Sequence, residues 1–209
     1  MTQQALLYWV GMAAVAVSAL AGVLDARRKY VDLIGALLVG MATALGGGTV
    51  RDVLLDRPVF WVIDQTYLLV ACLTSIFSFF TIRACRIPAR ALILPDAMGL
   101  ALFTILGTQV ALHHGAPWLV ASLMGVTTGV VGGLLRDILC NDVPSILLKG
   151  ELYATAAWIG AIALLGLLDL GFSPPLANGL AMLIVLSLRL LAVRYHLTLP
   201  AFGQDDSRS

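Results

Sequence analysis

The residues of this sequence that could do chemistry come in two matching sets. Gly46-Gly47-Gly48-Thr49-Val50-Arg51-Asp52 and Val131-Gly132-Gly133-Leu134-Leu135-Arg136-Asp137 share the pattern Gly-Gly-x-x-Arg-Asp at a spacing of 85 residues. Consecutive glycines strip away the side chains that shield backbone carbonyls, and they lower the barrier to a bend. In hydrocarbon an opened turn is tolerated only against protein or a water-filled cavity, because unpaired backbone groups are costly there. Helix breaks are therefore expected at Gly46, Gly47 and Gly48, and again at Gly129, Gly132 and Gly133. An ionised Arg or Asp at the centre of a membrane helix costs about 2.5–3.5 kcal/mol, so Arg51, Asp52, Arg136 and Asp137 should face protein interior or water. Neighbours in sequence do not face each other on a helix. The expected pairing is therefore across the repeat, Arg51 with Asp137 and Arg136 with Asp52.

Freed carbonyls and aspartate carboxylates are hard oxygen ligands that can replace part of the hydration shell of an alkali cation. The two guanidiniums oppose a cation unless the aspartates neutralise them or they serve as a gate. The same groups suit a small zwitterion, with Arg and helix N-termini on a carboxylate and Asp or carbonyls on an amine. On the residues alone both permeants remain open. Asp96 follows Pro95 and is expected to cap a helix at one entry, with a place in a pore vestibule as the alternative. Tyr67 and Tyr153, matched by the repeat, could gate or simply pack. Asp25 is read as balancing Arg27-Arg28-Lys29, and His113-His114 as a solvated loop. The three cysteines, Cys72, Cys85 and Cys140, have no metal-ligand spacing. With no nucleophile, base or metal cluster on one helix face, the sequence does not read as an enzyme and calls for no cofactor and no metal beyond a transient permeant cation.

The elements that must position these residues follow from composition. Of 209 residues, 60% are hydrophobic and 12% are charged, against about 25% charged in soluble domains. A net charge of +1 gives no broad attraction for nucleic acid. A spanning helix needs about 20 mainly apolar residues. Seven runs qualify or nearly do: Ala5–Leu24, Val31–Leu55, Gln65–Ile82, Ala91–Leu112, Pro117–Leu139, Glu151–Leu168 and Leu176–Val193. The expected class is an all-α integral membrane protein in the lipid bilayer. The 85-residue repeat, which also lays Gly22 on Gly107 and Gly40 on Gly125, makes the unit three helices. An odd unit re-enters from the opposite face, so the plan is an inverted 3+3 repeat plus one helix. Residues 1–90 form the first unit, 91–172 the second, 173–197 the seventh helix and 198–209 a disordered tail. Arg27, Arg28, Lys29, Arg83, Arg86, Arg90, Lys149, Arg189, Arg194 and Arg208 fall on one side, and Arg57 alone on the other once Arg51 and Arg136 are set apart as deeper. Basic excess marks the cytoplasmic face, which puts the N-terminus outside and the C-terminus inside.

The paired motif, at Gly47–Asp52 and Gly132–Asp137 with Pro58 and Pro144 behind it, resembles the bacterial TRIC-type (trimeric intracellular cation channel) family, also called the UPF0126 family. The likeness runs from about Leu6 to Tyr195. It implies a symmetric homotrimer in the bacterial inner membrane with a K⁺-permeable pore in each protomer, lined by kinked second and fifth helices. Carried over by position, the pore motif is Gly46, Gly47, Gly48, Arg51 and Asp52 with Gly132, Gly133, Arg136 and Asp137. The Lys-Glu-Val stretch of animal members is not found, so their phosphoinositide regulation is not transferred. Some members of the broader family carry a glycine-transporter label, which keeps a secondary transporter of glycine or a similar amino acid as the alternative.

Overall fold

Each apolar run satisfies its own backbone by coiling, which is the one solution open to a lone segment in hydrocarbon. The computed structural model describes residues 3–84, 88–147 and 152–198. Its seven long helices are α1 (Gln3–Ala26), α2 (Leu33–Leu54), α3 (Thr66–Ala84), α4 (Ile93–His113), α5 (Trp118–Leu139), α6 (Tyr153–Asp169) and α7 (Pro174–Tyr195). A one-turn helix, Phe60–Ile63, lies between α2 and α3. Six of the seven are long and apolar enough to cross a bilayer, and α6 is a shorter apolar helix. Its 17 residues rise about 26 Å, a little under the hydrocarbon thickness of about 30 Å. The tail expected to be disordered lies outside the described residues, Thr198 excepted, as do Arg86, Lys149 and Arg208.

Helix ends are set locally and in duplicate. Asp32 caps α2 by accepting from the Gly35 amide at 2.8 Å, and Pro174 opens α7 where a missing N–H costs nothing. α2 and α5 stop in the same way. Asp56 (φ 50°) and Asn141 (φ 53°), 85 residues apart, both turn left-handed. The next amide then reaches back: Arg57 N–H to Asp52 O at 3.0 Å, and Asp142 N–H to Asp137 O at 2.9 Å. This is the Schellman closure, built here on Asp and Asn, which tolerate that conformation better than most side chains.

The repeat is also visible in the packing. α1 lies on α2 as α4 lies on α5, and the two units meet through α2 against α5 and α1 against α4. α7 packs chiefly on α4 and α6, within the second unit. α3 sits at the rim and presents Leu69, Leu73, Phe77 and Phe80 outward, as a lipid-facing helix should.

The expected helix breaks are not there. α2 and α5 run uninterrupted through both glycine clusters. The physical reason is that the absent side chains serve close approach instead of bending. A methyl on Gly47 would lie 2.1 Å from the Thr128 carbonyl oxygen, and one on Gly132 would lie 2.3 Å from that of Thr43. Thr43 and Thr128 are themselves 85 residues apart, so the two helices cross backbone to backbone in a reciprocal contact. Small residues at such crossings are the usual means of tight packing in membranes.

Gly47→Ala and Gly132→Ala should each destabilise the protein by about 1–3 kcal/mol, because the atoms in the way are backbone and cannot swing aside. Gly179→Ala, with nothing within 4 Å of the added carbon, should leave stability unchanged. Thermal unfolding of the purified protein in detergent, followed by tryptophan fluorescence, reads both outcomes.

Candidate functional site

The Arg-Asp pairs sit one turn before the ends of α2 and α5, near opposite faces of the fold. Both arginines are buried, as are Asp52 and Asp137. Their pairing is local and not across the repeat, which corrects the expectation from helix geometry. Arg51 Nε and Nη2 donate to Asp52 Oδ1 at 2.9 and 2.7 Å. Arg136 Nε donates to Asp137 Oδ1 at 3.0 Å, and its Nη2 lies 2.9 Å from the same oxygen. An arginine is long enough to fold back over an adjacent short acid, and the inverted plan leaves the two pairs at different depths. Each aspartate turns its other oxygen to the returning chain eight residues on. Asp52 Oδ2 accepts from the Phe60 amide at 2.8 Å, and Asp137 Oδ2 accepts from the Ser145 amide and hydroxyl, each at 2.7 Å. The acids thus neutralise a guanidinium and anchor the segment that follows the helix.

Beyond that shared core the two sites differ. Arg136 gathers two further acids. Its Nη1 donates to Asp96 Oδ1 at 2.6 Å, and its Nε lies 3.2 Å from Asp25 Oδ2. Asp96 also accepts from the Tyr153 hydroxyl at 3.2 Å and lies 3.8 Å from Arg189 Nη2, whose guanidinium sits 4.7 Å above the Tyr153 ring. Asp25 pairs in addition with Arg28. Asp142 holds Lys29 Nζ at 2.7 Å, a bond that keeps its carboxyl below the usual range. Asp96 is therefore not the helix cap it was expected to be: α4 begins before it, and its side chain goes to Arg136. Asp25 does more than balance the basic loop. Arg189, counted by sequence only as a cytoplasmic charge, is a buried member of the cluster, and an ionisable residue inside an apolar helix was the signal for it. Nearby, burial pushes the Cys140 thiol up to about 11.

Arg51 has a different neighbourhood. Its guanidinium lies 5.8 Å from the Phe60 ring centre, and Tyr67 meets that ring edge-on at 4.9 Å. Arg57 Nε stands 3.5 Å from the same Asp52 oxygen, so two guanidiniums share one carboxylate. A cavity of about 670 Å³ opens beside them, bordered by Gly11, Arg51, Arg57, Tyr67 and the two histidines His113 and His114. The histidines thus belong to a cavity wall, and His113 Nδ1 lies 2.7 Å from the Gln109 carbonyl. On the Arg136 side the gap between Ser18, Thr43, Asp96, Phe103 and Tyr153 measures about 10 Å³, room for one water at most. The space beside Arg51 is open and the gap on the Arg136 side is nearly filled, with Phe103 bordering both.

The family model described as "Glycine transporter" matches residues 8–83 and 93–169. A UPF0126 inner membrane protein of Escherichia coli, YadS, is 44% identical over 97% of this chain and 99% of its own length. The chain belongs to the UPF0126 family. A UPF0126 membrane protein of Vibrio cholerae is 41% identical over 95% of the chain and 83% of its own. Among solved structures, this UPF0126 chain superposes on the TRIC trimeric intracellular cation channel orthologue from Rhodobacter sphaeroides with a TM-score of 0.87. The identity there is 36%, over 92% of this chain and 99% of that one. A second TRIC cation channel structure gives a TM-score of 0.84 at 34% identity, over 94% and 97% of the two chains. The two stretches of the UPF0126 chain matched by the family model each take in one three-helix unit, α1–α3 and α4–α6.

Removing either pairing aspartate should be unequal in effect. Asp52→Ala leaves Arg51 with no carboxylate partner, a loss of about 3–5 kcal/mol for a broken buried pair. Asp137→Ala should cost less, because Arg136 keeps Asp25 and Asp96. Comparing unfolding temperatures of the two variants in one detergent checks the order.

Proposed function

We propose that this chain is a monovalent-cation channel, conducting K⁺ across the bacterial inner membrane through a pathway within each protomer of a homotrimer. The observation that carries this reading is the seam between α2 and α5. Two buried Arg-Asp pairs lie there at opposite depths, an open cavity reaches one of them, and a charge cluster closes over the other. The solved relatives described as TRIC cation channels support it through their likeness over nearly the whole chain.

In this reading Gly46, Gly47, Gly48, Gly132 and Gly133 form the seam that must part for conduction. Arg51 with Asp52, and Arg136 with Asp137, set the electrostatics at its two ends. Asp96 and Tyr153 belong to the shut mouth and Tyr67 to the open one. Neutralised guanidiniums remove the main objection to a cation in such a passage, since a bare one would repel it at short range. The division into units at 1–90, 91–172 and 173–197 belongs to the same proposal. So does the orientation, with the N-terminus outside and the C-terminus in the cytoplasm, and inner-membrane residence accords with the naming of the Escherichia coli relative. The second reading, transport of glycine or a similar small amino acid, draws on the description of the family model and on the guanidinium facing the cavity.

Purified protein in liposomes separates the two. The channel dissipates an imposed K⁺ gradient and gives unitary currents in planar bilayers, with no accumulation of labelled glycine. Glycine concentrated against its gradient, without K⁺ current, would overturn the channel reading.

A further inference from the structure

The two repeats hold their own arginine–aspartate pairs alike, with Nε and Nη2 directed at one aspartate oxygen, and this leaves the Nη1 arm of each arginine for another partner. On Arg136 that partner is Asp96, at 2.6 Å, and the same Asp96 oxygen receives the Tyr153 hydroxyl at 3.2 Å. The residue 85 positions before Asp96 is Gly11, and the repeat partner of Tyr153 is Tyr67. The correspondence holds in space: a methyl on Gly11 would lie 3.1 Å from the Tyr67 hydroxyl. Gly11 thus stands in the first unit where Asp96 stands in the second. Among the described residues, Arg51 Nη1 and the Tyr67 hydroxyl make no hydrogen bond, although Arg51 is only 5% exposed. Both residues and Gly11 border the 670 Å³ cavity.

The substitution of charged residues around this cavity is systematic. Val110 replaces Asp25 and Arg57 replaces Asp142, while His113 and His114 replace Arg28 and Lys29. Gly11, Arg57, Val110 and both histidines all line the cavity. Arg51 and Arg57 share Asp52, and among the described residues that line the cavity itself there is no carboxylate. A guanidinium arm beside a phenol hydroxyl is a donor pair that one carboxylate oxygen can accept together, as Asp96 Oδ1 does from Arg136 and Tyr153.

We infer that the cavity beside Arg51 is a binding site for a small monocarboxylate. One oxygen of the ligand takes, on Arg51 Nη1 and the Tyr67 hydroxyl, the place that Asp96 takes on Arg136 and Tyr153. The molecule carries the template of its own ligand in its second half. The site stands apart from the question of whether the protein conducts K⁺, and it goes beyond that reading.

The test is equilibrium binding of radiolabelled acetate to the purified full-length protein in carboxylate-free, chloride-free buffer. Saturable binding is expected. Tyr67→Phe should weaken it about tenfold through loss of one charge-assisted hydrogen bond. Gly11→Asp, which restores the template within the chain, should abolish it. Glycine should displace the label and chloride should not. No saturable binding, or binding unchanged in both variants, overturns the proposal, and displacement by chloride overturns the carboxylate assignment in favour of a general anion site. Tyr67→Phe keeps the test decisive if Gly11→Asp does not fold. K⁺ flux in liposomes without carboxylate judges the channel reading separately, so the failure of one is not mistaken for failure of the other.

Discussion

A guanidinium cannot shed its charge, and in a low-dielectric interior it must bring its counter-charge with it. Everything central to this fold answers that constraint at Arg51 and Arg136. Each is met first by the acid beside it, Asp52 or Asp137, and each acid is then held by an amide from the chain beyond the helix end. The left-handed turns at Asp56 and Asn141 bring that amide back. The helix stop, the loop that follows and the neutral core are thus one local device, used twice.

The device is duplicated but its surroundings are not. Three positions a heptad apart on α1, Gly11, Ser18 and Asp25, correspond by the repeat to Asp96, Phe103 and Val110 on α4. Because α1 and α4 run in opposite directions and pack together, these six residues stack in three layers through the membrane. The layer at Arg136 holds both acids, the middle layer sets Ser18 beside Phe103 where both border the small gap, and the layer at Arg51 holds Gly11 and Val110 beside the cavity. A duplicated scaffold has been given a polarity by a few side chains, at no cost to its backbone.

Much of this could be read in advance. Seven apolar runs, their ends to within a few residues, and the inverted repeat followed from hydropathy and from the spacing of the paired motif. The adjacent glycines stand out in the sequence, but the use the fold makes of them does not. A pattern of adjacent glycines is compatible with a bend and with a tight crossing, and only the presence of Thr43 and Thr128 carbonyls against Gly132 and Gly47 decides between them. The arginine partners are hidden from the sequence for a similar reason. Backbone periodicity describes where side chains leave the helix, whereas a long flexible side chain such as Arg51 can fold over its own neighbour. Asp25, Asp96 and Arg189 lie on three helices far apart in sequence, and nothing short of the packed bundle brings them to Arg136. Gly11 carried no signal at all, since its meaning lies in what its counterpart has become.

The seventh helix makes the two halves unequal in mass as well as in charge. α7 is fastened to α4 by Gln109 Nε2 donating to Asn178 Oδ1 at 2.6 Å in a buried contact, and its Arg189 stacks on Tyr153. The second half is a block of four helices clamped at two depths, while the first is three helices with α3 packed on α1 and α2 at the rim. The pseudo-symmetry that relates the two repeats is therefore not a symmetry of the whole chain, which sets four helices on one side of the α2–α5 seam against three on the other.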